Sequence, residues 1–94
     1  MVGSNGFLYL DPAAVTTASQ AAAFYGGIAN FIAGVPRLAA FFGNLDPQAG
    51  GSIYYDIDPS GTAVYFTFDQ VMEYATPSVL SSFQIMLDQT GNVE

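Results

Sequence analysis

Cysteine, histidine, lysine and tryptophan are absent from this chain of 94 residues. Without cysteine there is no disulfide framework, no thiolate nucleophile and no zinc–thiolate site. Without histidine there is no imidazole acid–base or metal-ligand chemistry. Arg37 is the only cation, so phosphate-backbone binding by charge is excluded, and nucleic acid is not an expected partner. No basic segment leads into an apolar run at the start, so no signal peptide is expected. The apolar stretch 21–42 is broken by Asn30, Gly34, Pro36 and Arg37. That is too interrupted for a spanning helix, so membrane insertion is not expected.

What is present is apolar and aromatic. Hydrophobic residues make up 51% of the chain and charged residues 10%, with net charge −7. A disordered chain shows the opposite balance. Eight Phe and six Tyr supply the core material for a small domain that has no covalent staples.

Periodicity divides the chain into short elements. Residues 6–10 read as a strand that Asp11-Pro12 ends. Residues 17–33 read as a helix. Thr17 and Gln20 form a capping box, Ala21, Phe24, Tyr25, Ile28, Phe31 and Ile32 fall at helical spacing, and Gly34 and Pro36 stop it. Residues 37–44 read as a buried strand and 45–51 as a loop. Residues 53–57 alternate, with Ile53, Tyr55 and Ile57 sharing a face. Asp58-Pro59-Ser60-Gly61 has turn chemistry, and 62–68 alternates again, so a hairpin is expected. Residues 69–78 are irregular. Residues 81–88 form a further strand with Phe83, Ile85 and Leu87 inward, and 89–92 a turn before Val93 begins another strand. The expected fold class is α+β, mostly β: an antiparallel sheet, or partial β-sandwich, with one helix near residues 17–33.

Several of these segments resemble nidogen-type (NIDO-like) extracellular domains and their bacterial surface-protein relatives. Ser4-Asn5-Gly6-Phe7 resembles the family's SNGF strand. Residues 34–47 resemble its PPRIAPFWADLDP stretch, and Gly50-Gly51-Ser52-Ile53-Tyr54-Tyr55 its GGSVYY pattern. Residues 66–74 resemble VTFDNVPEY, Ser82-Phe83-Gln84-Ile85 resembles NTFQI, and Gly91-Asn92-Val93-Glu94 resembles DGTIE. The chain departs from the pattern where Phe42 replaces the family's Trp and Gly43-Asn44 its acidic pair. The resemblance implies a single small domain, 1–94, either truncated at both ends or a minimal version of the family's domain. It implies a non-catalytic interaction or adhesion module, extracellular or at the cell surface within a larger secreted protein. Missing flanking strands would leave open edges, so a homo-oligomer is expected, with a protein or glycan as a further partner.

Three candidate sites compete with structural readings. Asp56, Asp58 and Ser60 have the D-x-D-x-S-G spacing of a calcium loop and would supply its oxygen ligands. Position twelve of that loop is Thr67 rather than Glu, and a hairpin turn explains the same residues. A calcium- or carbohydrate-binding module is thus the alternative function, with no other cofactor expected. Tyr9, Tyr54, Tyr65 and Tyr74 are candidates for a sugar platform or for strand packing. Asp69 and Glu73 are the nearest approach to an acid–base pair, without a nucleophile beside them. Arg37 is expected to pair internally with Asp46, Asp69 or Glu73.

Overall fold

A computed structural model of the chain describes residues 2–11, 32, 36–41 and 43–94. Its strands among the described residues are β1 Val2–Gly3, β2 Phe7–Tyr9, β3 Arg37–Ala39, β4 Leu45–Asp46, β5 Ser52–Ile57, β6 Ala63–Glu73 and β7 Thr76–Asp88. The helix expected at 17–33 is represented only by Ile32, which is helical. Apart from Ile32, that span lies outside the described residues. The chain divides into two compact units, Met1–Leu45 and Asp46–Glu94.

The first unit holds an antiparallel sheet in the order β1-β2-β3. Ser4, Asn5 and Gly6 connect β1 to β2, closed by a Gly6 N–H bond to the Gly3 carbonyl at 3.3 Å. Gly6 has φ +82°, the left-handed conformation that a three-residue hairpin loop places on its last residue. β2 is central, and Phe7, Leu8 and Tyr9 are all buried. Burial on both faces explains why this strand reads as a continuous apolar run rather than an alternation. Asn5 is also buried, and its Oδ1 accepts the Leu45 N–H at 2.9 Å. A buried amide without such a partner would cost the full desolvation of that group. β3 is shorter than the strand expected over 37–44, and Leu10 N–H extends its ladder by bonding the Pro36 carbonyl at 3.2 Å.

The second unit is built on β6. β5 pairs with residues 64–69 of β6, from Ile57↔Val64 to Ser52↔Asp69. β7 pairs with the same stretch, from Ala63↔Asp88 to Phe68↔Phe83. The two therefore flank β6 on opposite sides, and β4 joins the same sheet. The region 69–78, irregular by sequence, is largely strand. β6 runs on to Glu73 through a bulge between Phe68 and Val71. Gln70 sits in that bulge with φ +49°, and its N–H bonds the Ser82 hydroxyl at 2.8 Å in place of a ladder partner. The expected loop 45–51 contains β4, and Gly50 accepts the Met72 N–H at 3.2 Å. At Gly51, φ is +87° and a Cβ would lie 2.4 Å from the Gln70 carbonyl oxygen. Only glycine fits there.

Register gathers the apolar residues on one face. Ile53, Phe68 and Phe83 form one row across the strands, Tyr55, Phe66 and Ile85 the next, and Ile57, Val64 and Leu87 the third. The opposite face carries Tyr54, Thr67 and Gln84, with Gln84 donating to the Thr67 hydroxyl at 2.8 Å. Phe68 is fully buried and stacks on Phe83, with ring centroids 4.4 Å apart. Val93 bridges back to Leu87, and Glu94 exchanges backbone bonds with Met86 at 2.7 and 3.0 Å. The last residues thus begin the strand that their pattern predicts.

Candidate functional site

Two turns stand together at one end of the second unit's sheet. Asp58 opens the β5–β6 turn, and its carbonyl accepts the Gly61 N–H at 2.9 Å. Asp88 opens the turn after β7, and its carbonyl accepts the Gly91 N–H at 3.1 Å. Both glycines are left-handed, at φ +72° and +90°. The Gln89 N–H bonds the Thr62 carbonyl at 2.8 Å, so the turns are directly joined. An open cleft of about 280 Å³ lies between them, lined by Ile57, Thr62, Val64, Leu87 and Asp88 among others.

The Asp58 carboxylate is occupied from within. Oδ1 accepts the Thr62 and Ala63 N–H groups, each at 2.7 Å. Oδ2 accepts the Ser60 hydroxyl, and the Thr62 hydroxyl at 3.2 Å. These bonds favour the ionised form. The Ser60 hydroxyl and then the Ala63 amide draw the pKa down from 3.8 to about 2. Asp88 is held in the same way. Its oxygens accept the Thr90 hydroxyl at 2.6 Å, the Asn92 N–H at 3.0 Å and the Asn92 side-chain amide at 3.0 Å. Its pKa is likewise lowered to about 2, first by the Thr90 hydroxyl and then by the Asn92 amide. The sequence carries the signal for this pairing. Asp58-x-Ser60-Gly61-Thr62 and Asp88-x-Thr90-Gly91-Asn92 share one spacing, and reading the second only as a turn misses it.

The three sequence-predicted calcium ligands are distributed unevenly. Asp58 and Ser60 are bonded to each other in the turn. Asp56 lies back in β5, exposed and opposite Tyr65. Among the described residues no group of three or more acidic side chains is placed to hold a metal ion. Asp69 is exposed opposite Ser52, beyond the bulge from Glu73, which accepts the Ser81 hydroxyl at 3.4 Å.

The tyrosines separate as well. Tyr9 is buried in the first unit, against Phe7 at 6.2 Å between ring centroids. Tyr54 and Tyr65 share the polar sheet face, and Tyr74 is exposed in the β6–β7 turn. Tyr55, outside the candidate sugar platform, stands on the apolar face yet is 67% exposed. Arg37 sits over the Phe7 ring, 5.0 Å from its centroid, in cation–π geometry. Asp46, Asp69 and Glu73, its expected partners, all belong to the second unit.

One edge of the second unit's sheet is open among the described residues. Among the described residues β5 pairs on one side only, with β6. Tyr55 and Ile57 expose 67% and 63% of their surface, although Phe68 and Ile85 on the same face are buried. No helix among the described residues is long and apolar enough to cross a membrane. The chain matches no protein-family model, no curated protein and no solved structure.

Proposed function

We propose that this chain is a non-catalytic interaction module that self-associates through the second unit's sheet. One observation carries the reading: Tyr55 and Ile57 on the apolar face of β5 stand largely in solvent, on a strand edge that has no partner strand among the described residues. Burying exposed Tyr and Ile side chains is worth roughly 25 cal/mol per Å² of apolar surface. An unpaired strand edge adds main-chain hydrogen bonds to that gain. The resemblance to nidogen-type domains supports an extracellular or surface setting and an adhesive or assembly role.

The test is mass in solution by light scattering over a concentration series, with and without calcium. A concentration-dependent, calcium-independent oligomer is the expected result. A monomer at every concentration would overturn the proposal. A calcium-dependent rise in melting temperature would assign Asp56, Asp58 and Ser60 to a metal site instead, since a ligand that binds only the folded state stabilises it.

A further inference from the structure

We propose that Asn5 is a site of spontaneous deamidation gated by the β1–β2 hairpin. The closed hairpin blocks the reaction, and the product of the open one holds it open. This goes beyond the self-association proposed above and does not depend on it.

Asn5-Gly6 is the one Asn-Gly pair in the chain. Asparagine before glycine is the dipeptide most prone to ring closure, because no Cβ on the second residue hinders the attacking nitrogen. The fold itself calls for this pair. Gly6, at φ +82°, takes the left-handed position of the loop between β1 and β2. Asn5 supplies the buried acceptor for the Leu45 N–H. The two residues that build the loop are thus the two that can react.

The reaction needs only water. The Gly6 nitrogen gives its proton to a solvent base and attacks Asn5 Cγ. The N–Cγ bond forms, the Cγ–Nδ2 bond breaks, and Nδ2 leaves as ammonia with a proton from solvent. Water then opens the five-membered imide. Opening at Cγ leaves aspartate. Opening at the main-chain carbonyl leaves isoaspartate, whose backbone runs through Cβ and Cγ.

The closed hairpin obstructs the first step twice. The Gly6 N–H is committed to the Gly3 carbonyl at 3.3 Å, and Asn5 and Gly6 are both buried, so solvent base does not reach the proton. Asn5 Oδ1 is fixed by the Leu45 N–H at 2.9 Å, which ties the side chain to a residue 40 positions away. The gate is nonetheless short. β1 is only Val2–Gly3, and a two-residue strand opens locally at a small fraction of the global unfolding free energy. Isoaspartate then adds a backbone atom inside a three-residue loop. The Gly6–Gly3 bond and the pairs Val2↔Leu8 and Gly3↔Phe7 cannot all re-form around it. It also leaves a carboxylate where Asn5 is 3% exposed, a place that penalises charge.

The test incubates the full chain in mildly alkaline buffer, with and without denaturing urea. Arg37 is the only tryptic site, so trypsin yields 1–37 and 38–94. Tandem mass spectrometry then locates the mass gain of an NH2-to-OH exchange. The expected gain is at Asn5, at least about tenfold faster in urea than in buffer. Asn5→Gln, which would need a slower six-membered closure, should abolish it in urea, where folding plays no part. The isoaspartyl chain, separated and returned to buffer, should lose amide protection at Phe7, Leu8 and Tyr9. Equal rates with and without urea would overturn the gate. A gain at Asn30, Asn44 or Asn92 ahead of Asn5 in urea would overturn the site. Full amide protection in the isoaspartyl chain would overturn the locking.

Discussion

Asp58 and Asp88 hold two adjoining turns by the same arrangement: each carboxylate accepts a hydroxyl two residues on and the backbone N–H four residues on. The β6 and β7 ends tie the turns together through Ala63↔Asp88. Ionised carboxylates are the better acceptors for these donors, and that makes the unit acid-sensitive.

Both folded-state pKa values lie below the ordinary 3.8, at about 2. The folded chain therefore binds these protons more weakly than the unfolded chain. The stabilisation is complete above about pH 4 and is lost as pH falls through about 2. Asp58→Asn and Asp88→Asn should each flatten the fall in melting temperature between those values, while lowering stability at neutral pH. The check is thermal unfolding followed by circular dichroism across that range. Curves parallel to the wild type would exclude the two turns as the source of acid sensitivity.

Gly51 and Gly61 are both left-handed, but their surroundings differ. A Cβ on Gly51 would meet the Gln70 and Val71 backbone at 2.4–2.6 Å, whereas one on Gly61 meets nothing within 4 Å. Gly61→Ala should cost about 1 kcal/mol for its backbone conformation alone. Gly51→Ala should cost more, about 2 kcal/mol or above, because the bulge must also shift. Urea unfolding of the two variants separates these costs, and equal values would contradict the close approach at Gly51.

Ala75 holds φ +61° in the short connection between Glu73 and Thr76. An alanine there pays a steric cost that glycine avoids. Ala75→Gly should stabilise the chain by roughly 0.5–1 kcal/mol, in contrast to the usual loss on placing glycine. A fall in the urea midpoint would show that the left-handed backbone is not strained at this position.

Phe68 should be the least replaceable side chain of the second unit. It is fully buried and stacked on Phe83. Phe68→Ala should cost about 3–5 kcal/mol. In a double-mutant cycle with Phe83→Ala, a coupling of about 0.5–1.5 kcal/mol is expected from the stacked pair. Additive losses would mean that the rings contribute area but no specific contact.

In the first unit, Asn5→Ala should cost about 1–3 kcal/mol, because it strands the Leu45 N–H in a buried place. Asn5→Asp keeps an acceptor and should lose less. A comparable loss in both variants would point to side-chain packing instead of the hydrogen bond.

The sequence alone determined what is local. Alternation set the shared face of Ile53, Tyr55 and Ile57, and Asp58-Pro59-Ser60-Gly61 set the turn that pairs them with Val64, Phe66 and Phe68. Phe83, Ile85 and Leu87 lay inward for the same reason. These features need only side-chain period and turn chemistry, which act over a few residues. Pairing across the chain decided the rest. At the Gln70 bulge Gly51 closes on the β6 backbone and Ser82 satisfies the freed N–H, contacts that join the β4–β5 loop, β6 and β7. Asp56 and Asp58 look equivalent in their D-x-D spacing, but the turn engages one carboxylate and the strand leaves the other exposed. The edge left open among the described residues is likewise a tertiary property. Nothing in 52–57 says which side of the strand is left unpaired; the placement of β6 and β7 does, because each strand has only two sides to bond.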